Sequence, residues 1–274
     1  MHYCWLNGTI SEAQNTKLHI NDLGLMRGYG LFDYFRTYNL KPFRWDWYWE
    51  RYERSAKLLK IQNPITKEEA YKVVSILIEK QGNQDCAFRF VLTGGYTLDS
   101  VSSAMPNLMI ISEELHHSTQ EEYENGIKVI SYEFVRDLPA IKSIDYKHYM
   151  ILQSEIKEQN ASDVLFYKNG EISELSRSNV FIINGNKLIT PNKNILHGIT
   201  RRTVLELAKK DFQIEERSVF FQEMLDAQEV FTTSTTKRVL PISRIDDHVI
   251  GNGKIGIKTQ FLLDKINEMV KNWV

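Results

Sequence analysis

The sequence predicts a mixed α/β (α+β) protein built in two lobes. Three observations carry this. Strand-like apolar runs alternate with helix-period segments along the whole chain. The length of 274 residues lies between one large domain and two modest ones. A polar stretch between residues 113 and 126, holding His116, His117, Ser118, Thr119, Gln120 and Asn125 among glutamates, interrupts the apolar pattern. The expected division is an N-terminal lobe over 1–118, a linker over 119–126 and a larger C-terminal lobe over 127–274.

The elements follow in order. Residues 31–38 form a β-rich run crowded with aromatic side chains. Asp46 is a plausible N-cap for a helix in which Trp49, Tyr52, Ala56 and Leu59 recur at helical spacing. Thr66-Lys67-Glu68-Glu69 matches a capping box, which predicts a helix from there to about Lys80. Residues 88–93 and 108–111 read as strands separated by the turn formers Gly94-Gly95 and Pro106. Beyond the polar stretch, strands are expected at 127–134, 164–167, 180–183 and 230–233, with helices at 149–159, 200–210 and 254–273.

Composition narrows the function. The 34 basic and 35 acidic residues nearly cancel, so no global field draws nucleic acid or an anionic membrane, and small molecules or protein chains are the expected partners. Two cysteines, Cys4 and Cys86, are too few for a disulfide framework and lack zinc-ligand spacing; no metal site is expected, and a reducing, cytoplasmic compartment fits. The first residues show no basic region followed by an apolar stretch, and no run reaches membrane-spanning length.

The most informative stretch is Glu174-Leu175-Ser176-Arg177-Ser178-Asn179-Val180-Phe181, followed by Leu188-Ile189-Thr190-Pro191 and Leu196-His197-Gly198-Ile199-Thr200-Arg201. It reads as a strand pair leading into a helix that starts near Thr200. Backbone N–H groups around Ile199 and Thr200 would be unpaired at that start, which makes an anion site. Taken alone, a simple helix cap at Thr200 is the commoner explanation.

Taken together, the run resembles the signature of class IV aminotransferases: a glutamate, an asparagine-apolar-aromatic step, a threonine, and a glycine-isoleucine-threonine-arginine turn, with a slightly short Thr190 to Leu196 spacing. The resemblance extends from Asn7-Gly8 through Arg27-Gly28-Tyr29-Gly30 to residues 251–256. Separated motifs in the right order are a strong signal where any one is weak. It implies the two-lobe fold of that family, pyridoxal 5'-phosphate as cofactor held mostly by the second lobe, and a homodimer.

The resemblance also assigns residues. Lys142, within Leu138-Pro139-Ala140-Ile141-Lys142-Ser143, takes the place of the cofactor lysine, whose amine condenses with the cofactor aldehyde and then shuttles a proton. Glu174 takes the place of the carboxylate at the pyridine nitrogen. Arg51 stands in the register of the family's phosphate arginine, with Arg54 as its rival, and a guanidinium suits a phosphate through bidentate, permanently charged contacts. Ile199, Thr200, Ser234 and Thr235 would complete the phosphate cup. For the substrate, Arg89 aligns with a strand arginine that some branched-chain enzymes use near the carboxylate, while Phe32, Tyr34, Tyr96 and Tyr146 could line an apolar pocket.

Four departures from the family bear on the substrate. Tyr48 stands where a histidine is frequent, Asp145 where an asparagine is usual, and Phe32 where D-amino-acid enzymes carry tyrosine. Thr93-Gly94-Gly95-Tyr96 lacks their substrate-binding arginine and histidine. The expected activity is transfer of an amino group from an apolar, branched-chain-like amino acid to a 2-oxo acid by a ping-pong Schiff-base mechanism. The alternatives are a 4-amino-4-deoxychorismate lyase and, from another class, a non-catalytic cofactor- or metabolite-binding protein.

Overall fold

The computed structural model describes residues 2–99, 101–102 and 105–274. The chain divides into two compact units. The first comprises Met1–Leu115, Ile141–Asp145 and Trp273–Val274; the second comprises His116–Ala140 and Tyr146–Asn272.

Among the described residues the first unit holds strands β1 (Tyr3–Leu6), β2 (Thr9–Glu12), β3 (Gly30–Tyr38), β4 (Lys41–Pro42), β5 (Ala87–Tyr96) and β6 (Met105–Glu113), and helices α1 (Leu23–Arg27), α2 (Trp45–Leu58) and α3 (Lys67–Lys80). The strands form one antiparallel sheet in the order β2-β1-β6-β5-β3-β4. Aromatic residues build its core. Phe35 stacks on Phe88 at 5.3 Å and meets Trp45, Tyr48 and Phe90 within 5.7 Å. Thr66 caps α3 in a complete capping box, as its sequence predicts.

Two local expectations differ. Asp46 does not cap α2: Arg44, in the left-handed region at φ 50°, is its N-cap, and Asp46 lies in the first turn, paired with Lys67 at 2.5 Å. Gly94-Gly95 and Pro106 do not break the chain but lie inside β5 and β6, where the register slips between Thr93 and Tyr96. Gly95, at φ 78°, accommodates that slip, and a Cβ there would fall 1.5 Å from the Met105 carbonyl oxygen. At the edge of the unit, Trp273 packs on Phe43 at 4.7 Å and its carbonyl accepts from Asn39 Nδ2 at 2.9 Å.

The second unit holds α4 (Gln120–Asn125), β7 (Ile127–Glu133), α5 (Lys147–Ile151), α6 (Gln153–Glu158), β8 (Asp163–Lys168), β9 (Glu171–Leu175), β10 (Asn179–Asn184), β11 (Lys187–Thr190), α7 (Ile199–Ala208), β12 (Gln213–Glu216), α8 (Phe221–Leu225), β13 (Glu229–Ser234), β14 (Arg238–Ile245), β15 (His248–Val249) and α9 (Ile257–Lys271). Its mixed sheet runs β12-β11-β10-β13-β14-β7-β8-β9, with β15 on β14. One face of the sheet packs an aliphatic cluster with Val180, Ile182, Val230, Leu240 and Ile242, and Phe181 stacks on Phe231 at 4.9 Å from the same two strands, β10 and β13.

The division corrects the expected one at two points. Residues 119–126 are not a linker: Thr119 caps α4 through a second complete capping box, and the segment belongs to the second unit. It reads as polar because none of its helical residues is buried. The lysine segment is not part of the C-terminal unit either. Ile141–Asp145 belongs to the first, because its backbone pairs with β3. Cys4 and Cys86 are both free and buried, and burial pushes the Cys86 thiol up to about 12. No described helix is long and apolar enough to cross a membrane.

Candidate active site

In the first unit the lysine segment extends the sheet along the edge of β3 that faces away from β5. Phe32 N–H donates to the Lys142 carbonyl at 2.8 Å, Ile144 N–H donates to Gly30 at 3.2 Å, and Ser143 pairs with Leu31. That register makes Lys142 and Phe32 cross-strand neighbours on one face. The Lys142 amine sits 4.5 Å from the centroid of the Phe32 ring. Arg89, on β5, lies over Phe32 at 5.4 Å and over Tyr34 at 5.2 Å on the same face. Lys142, Phe32 and Arg89 are therefore brought together.

Arg89 is not an unengaged carboxylate receptor, however. Its Nε and Nη2 donate to the two oxygens of Glu113 at 2.6 and 3.0 Å. Burial raises the pKa of Tyr34 beside this pair, and the Glu113 charge adds to it against the opposing pull of Arg89 and Arg36.

Arg51 stands apart from these residues. Side chains alternate along a strand, so Asp33 projects from the face of β3 opposite to Phe32, and Arg51 on α2 meets it there. Arg51 Nε donates to Asp33 Oδ2 at 2.9 Å and Nη2 to Oδ1 at 2.5 Å, with side-chain exposures of 6% and 2%. Two of the nitrogens expected for a phosphate thus serve a buried carboxylate.

In the second unit Glu174, the penultimate residue of β9, is buried. Arg136 donates to its Oε1 through Nε at 2.7 Å and pairs with the same oxygen through Nη2 at 2.7 Å. Leu196 N–H donates to Oε2 at 2.9 Å. Arg136 is in turn held by the Pro139 carbonyl at 2.8 Å. One guanidinium and one main-chain N–H thus hold its two oxygens. Arg136 is a residue that sequence reasoning missed.

α7 begins at Gly198 with no side chain capping it. A Cβ at Gly198 would fall 2.1 Å from Asn179 Oδ1, so a side chain there would displace Asn179 from its place against the helix start. Asn179 Nδ2 fixes the preceding loop by donating to the Leu196 carbonyl at 2.8 Å. Ile199 and Thr200 are buried in the first turn. Ser234 Oγ accepts from Lys237 N–H at 3.2 Å at the β13–β14 turn, which also carries Thr235. The buried Thr233 hydroxyl has no hydrogen-bond partner. Tyr146 is half-buried and precedes α5 in this unit, whereas Phe32 and its neighbours belong to the other.

These groups fit pyridoxal phosphate. In the second unit, uncapped helix N–H groups and an unsatisfied buried hydroxyl suit a phosphate dianion and a fixed carboxylate suits a protonated ring nitrogen; in the first, taken by itself, a primary amine beside an aromatic ring suits an aldehyde.

Residues 30–245 match the family of amino-transferase class IV, and the chain belongs to it. As a member of that class it is an enzyme, a transaminase that works with pyridoxal phosphate. Among its relatives, a Methanocaldococcus jannaschii protein that bears the name of a branched-chain-amino-acid aminotransferase is 29% identical over 98% of this chain and 96% of its own. A D-alanine aminotransferase of Staphylococcus haemolyticus is 26% identical over 98% of each. The solved branched-chain amino acid aminotransferase of Escherichia coli superposes with a TM-score of 0.92 at 23% identity, covering 99% of this chain and 97% of that one. At that identity the likeness establishes the fold.

Proposed function

We propose that the chain moves an amino group from an apolar, branched-chain-like L-amino acid to a 2-oxo acid, 2-oxoglutarate foremost, using Lys142 and Glu174 on a bound pyridoxal phosphate. The observation that carries this reading is Glu174, a buried carboxylate fixed on both oxygens by Arg136 and the Leu196 N–H. When bound, the cofactor supplies an electrophilic carbon for the amine and a ring that takes up the electron pair left at Cα. Glu174 would hold a proton on the ring nitrogen, and Lys142 would carry the proton that leaves Cα. Ile199, Thr200, Ser234 and Thr235 would bind the phosphate.

For the substrate, Phe32 and Tyr146 are apolar walls and Arg89 is the carboxylate partner, at the expense of its hold on Glu113. Gly95 argues against the carboxylate clamp of D-amino-acid enzymes, since the backbone there leaves no room for a side chain. The Gly198 to Arg201 turn and the Ser234 to Thr236 loop favour transamination over pyruvate elimination from 4-amino-4-deoxychorismate. Leu18, Ile20, Leu25, Met26 and Leu98 are exposed on the first unit, and this apolar surface supports assembly as a homodimer. The buried free thiols accord with a cytoplasmic protein.

A donor screen with L- and D-amino acids, beside a pyruvate-release assay on 4-amino-4-deoxychorismate, tests the reading. Apolar L-donors should exchange amine with 2-oxoglutarate, by margins of about 1–3 kcal/mol per methylene between neighbouring donors. Pyruvate release without amine exchange from any donor would assign a lyase instead. Borohydride reduction and peptide mapping should find the cofactor on the peptide that contains Lys142.

A further inference from the structure

Asp163 opens β8 and is fully buried, a position where an isolated carboxylate would be costly. It is not isolated. Lys237 Nζ donates to Oδ2 at 2.8 Å, Val164 N–H donates to Oδ1 at 2.9 Å, and the Ser176 hydroxyl donates to Oδ1. Burial alone would raise its pKa, but Lys237, Arg177 and the hydrogen bonds outweigh it and hold the carboxyl below its ordinary range.

The partners come from the two turns that carry the cofactor residues of this unit. Ser176 lies just beyond Glu174, and its N–H donates to the Val164 carbonyl at 3.1 Å. Lys237 follows Ser234-Thr235-Thr236, and its N–H donates to Ser234 Oγ at 3.2 Å. A further bond ties β13 to the turn beyond Glu174, from the Thr232 hydroxyl to Ser178 Oγ at 2.7 Å. One buried charge thus spans the gap between the strand end that carries Glu174 and the turn that carries Ser234 and Thr235.

We propose that Asp163 is a positioning residue: through Ser176 and Lys237 it sets the distance between Glu174 and the Ser234-Thr235 turn, so that both ends of one rigid cofactor molecule are met at once. This rests on the reading of Glu174 and Ser234-Thr235 as cofactor contacts. A rigid ligand with anchors at opposite ends reads the spacing between them, and small misplacements of such anchors are costly. The phosphate should therefore add less affinity when the tie is cut, whereas a ligand that lacks the phosphate uses one anchor and is indifferent to the spacing.

The test compares pyridoxal phosphate with pyridoxal. The apo forms of the unaltered chain, D163N, K237M, the double variant and K237R are titrated with each ligand, following tryptophan fluorescence, and far-UV circular dichroism checks the fold. The expected result is a fall in the affinity ratio of pyridoxal phosphate to pyridoxal of about ten- to a hundredfold in D163N and K237M, the scale on which outer partners tune a bound group. The double variant should lose no more than either single one, and K237R, which keeps the ion pair, should keep the ratio. An unchanged or higher ratio in folded D163N or K237M overturns the proposal, as does an equal loss for both ligands. If D163N fails to fold, K237M against K237R decides. Failure of the unaltered chain to prefer pyridoxal phosphate would instead sink the cofactor reading.

Discussion

Two buried arginine–carboxylate pairs, one in each unit, are built from the same groups and differ in how the groups meet. Arg51 meets Asp33 as a fork, one nitrogen to each oxygen, and Oδ1 also accepts the Tyr34 N–H at 2.7 Å. Arg136 converges on a single oxygen of Glu174, and the second oxygen is aimed by a main-chain N–H from a loop 22 residues on. The fork satisfies its carboxylate locally, so its role is architectural. The convergent pair fixes the charge and the direction of its carboxylate through groups from outside its own strand, Arg136 and the Leu196 N–H. Burial alone does not distinguish them, and neither pair is by itself evidence of net stabilisation.

The largest expected effect lies on the convergent pair. Glu174→Gln should leave the cofactor bound yet slow the amine half-reaction by roughly 10²–10⁴-fold, the range associated with a lost proton-holding group. Single-turnover absorbance measurements check this, and near-normal rates would place Glu174 with Asp33 as architecture. On the fork, Arg51→Ala leaves Asp33 buried and unpaired and should destabilise the protein by about 3–5 kcal/mol. Replacing both partners at once, Arg51→Met with Asp33→Leu, should restore most of that in urea unfolding. If the double variant stays as unstable as the single, or the single chiefly weakens phosphate binding, the contrast between the pairs fails. The smallest stability effect belongs to the half-exposed Arg89–Glu113 pair, where Arg89→Ala should cost less than about 1 kcal/mol. The same change should raise the donor KM more than it lowers kcat, and an unaltered KM would remove Arg89 from the substrate.

What the sequence reveals divides along the range of the interactions. The capping box at Thr66 and the aromatic, β-rich run that becomes β3 are legible because their causes lie within a few residues. Asp46 misleads because a helix can start from a left-handed arginine just before it, a choice that local chemistry does not announce. Lys142 and Glu174 are reached only through motif resemblance; in isolation each reads as an ordinary surface charge. Arg136 escapes because its partner lies 38 residues away, and nothing in Val135-Arg136-Asp137 points there. Asp163 looks like a polar strand start, and its burial follows from Lys237, 74 residues on. The exposed helix at Gln120–Asn125 passes for a linker because solvated helices and linkers share a composition.

The excursion of Ile141–Asp145 into the first unit, together with the packing of Trp273 on Phe43, fixes an order of events during synthesis. A ribosome delivers Met1–Leu115 early, but the edge of β3 stays open until the lysine segment emerges, and Phe43 waits for Trp273. The unit that begins first is completed last. A growing chain therefore holds part of that strand edge exposed from the emergence of β3 until residues 141–145 follow. Fragments that stop before residue 141 should be prone to pair with one another along that edge, and Lys142 acquires its Phe32 neighbour only when the same pairing closes.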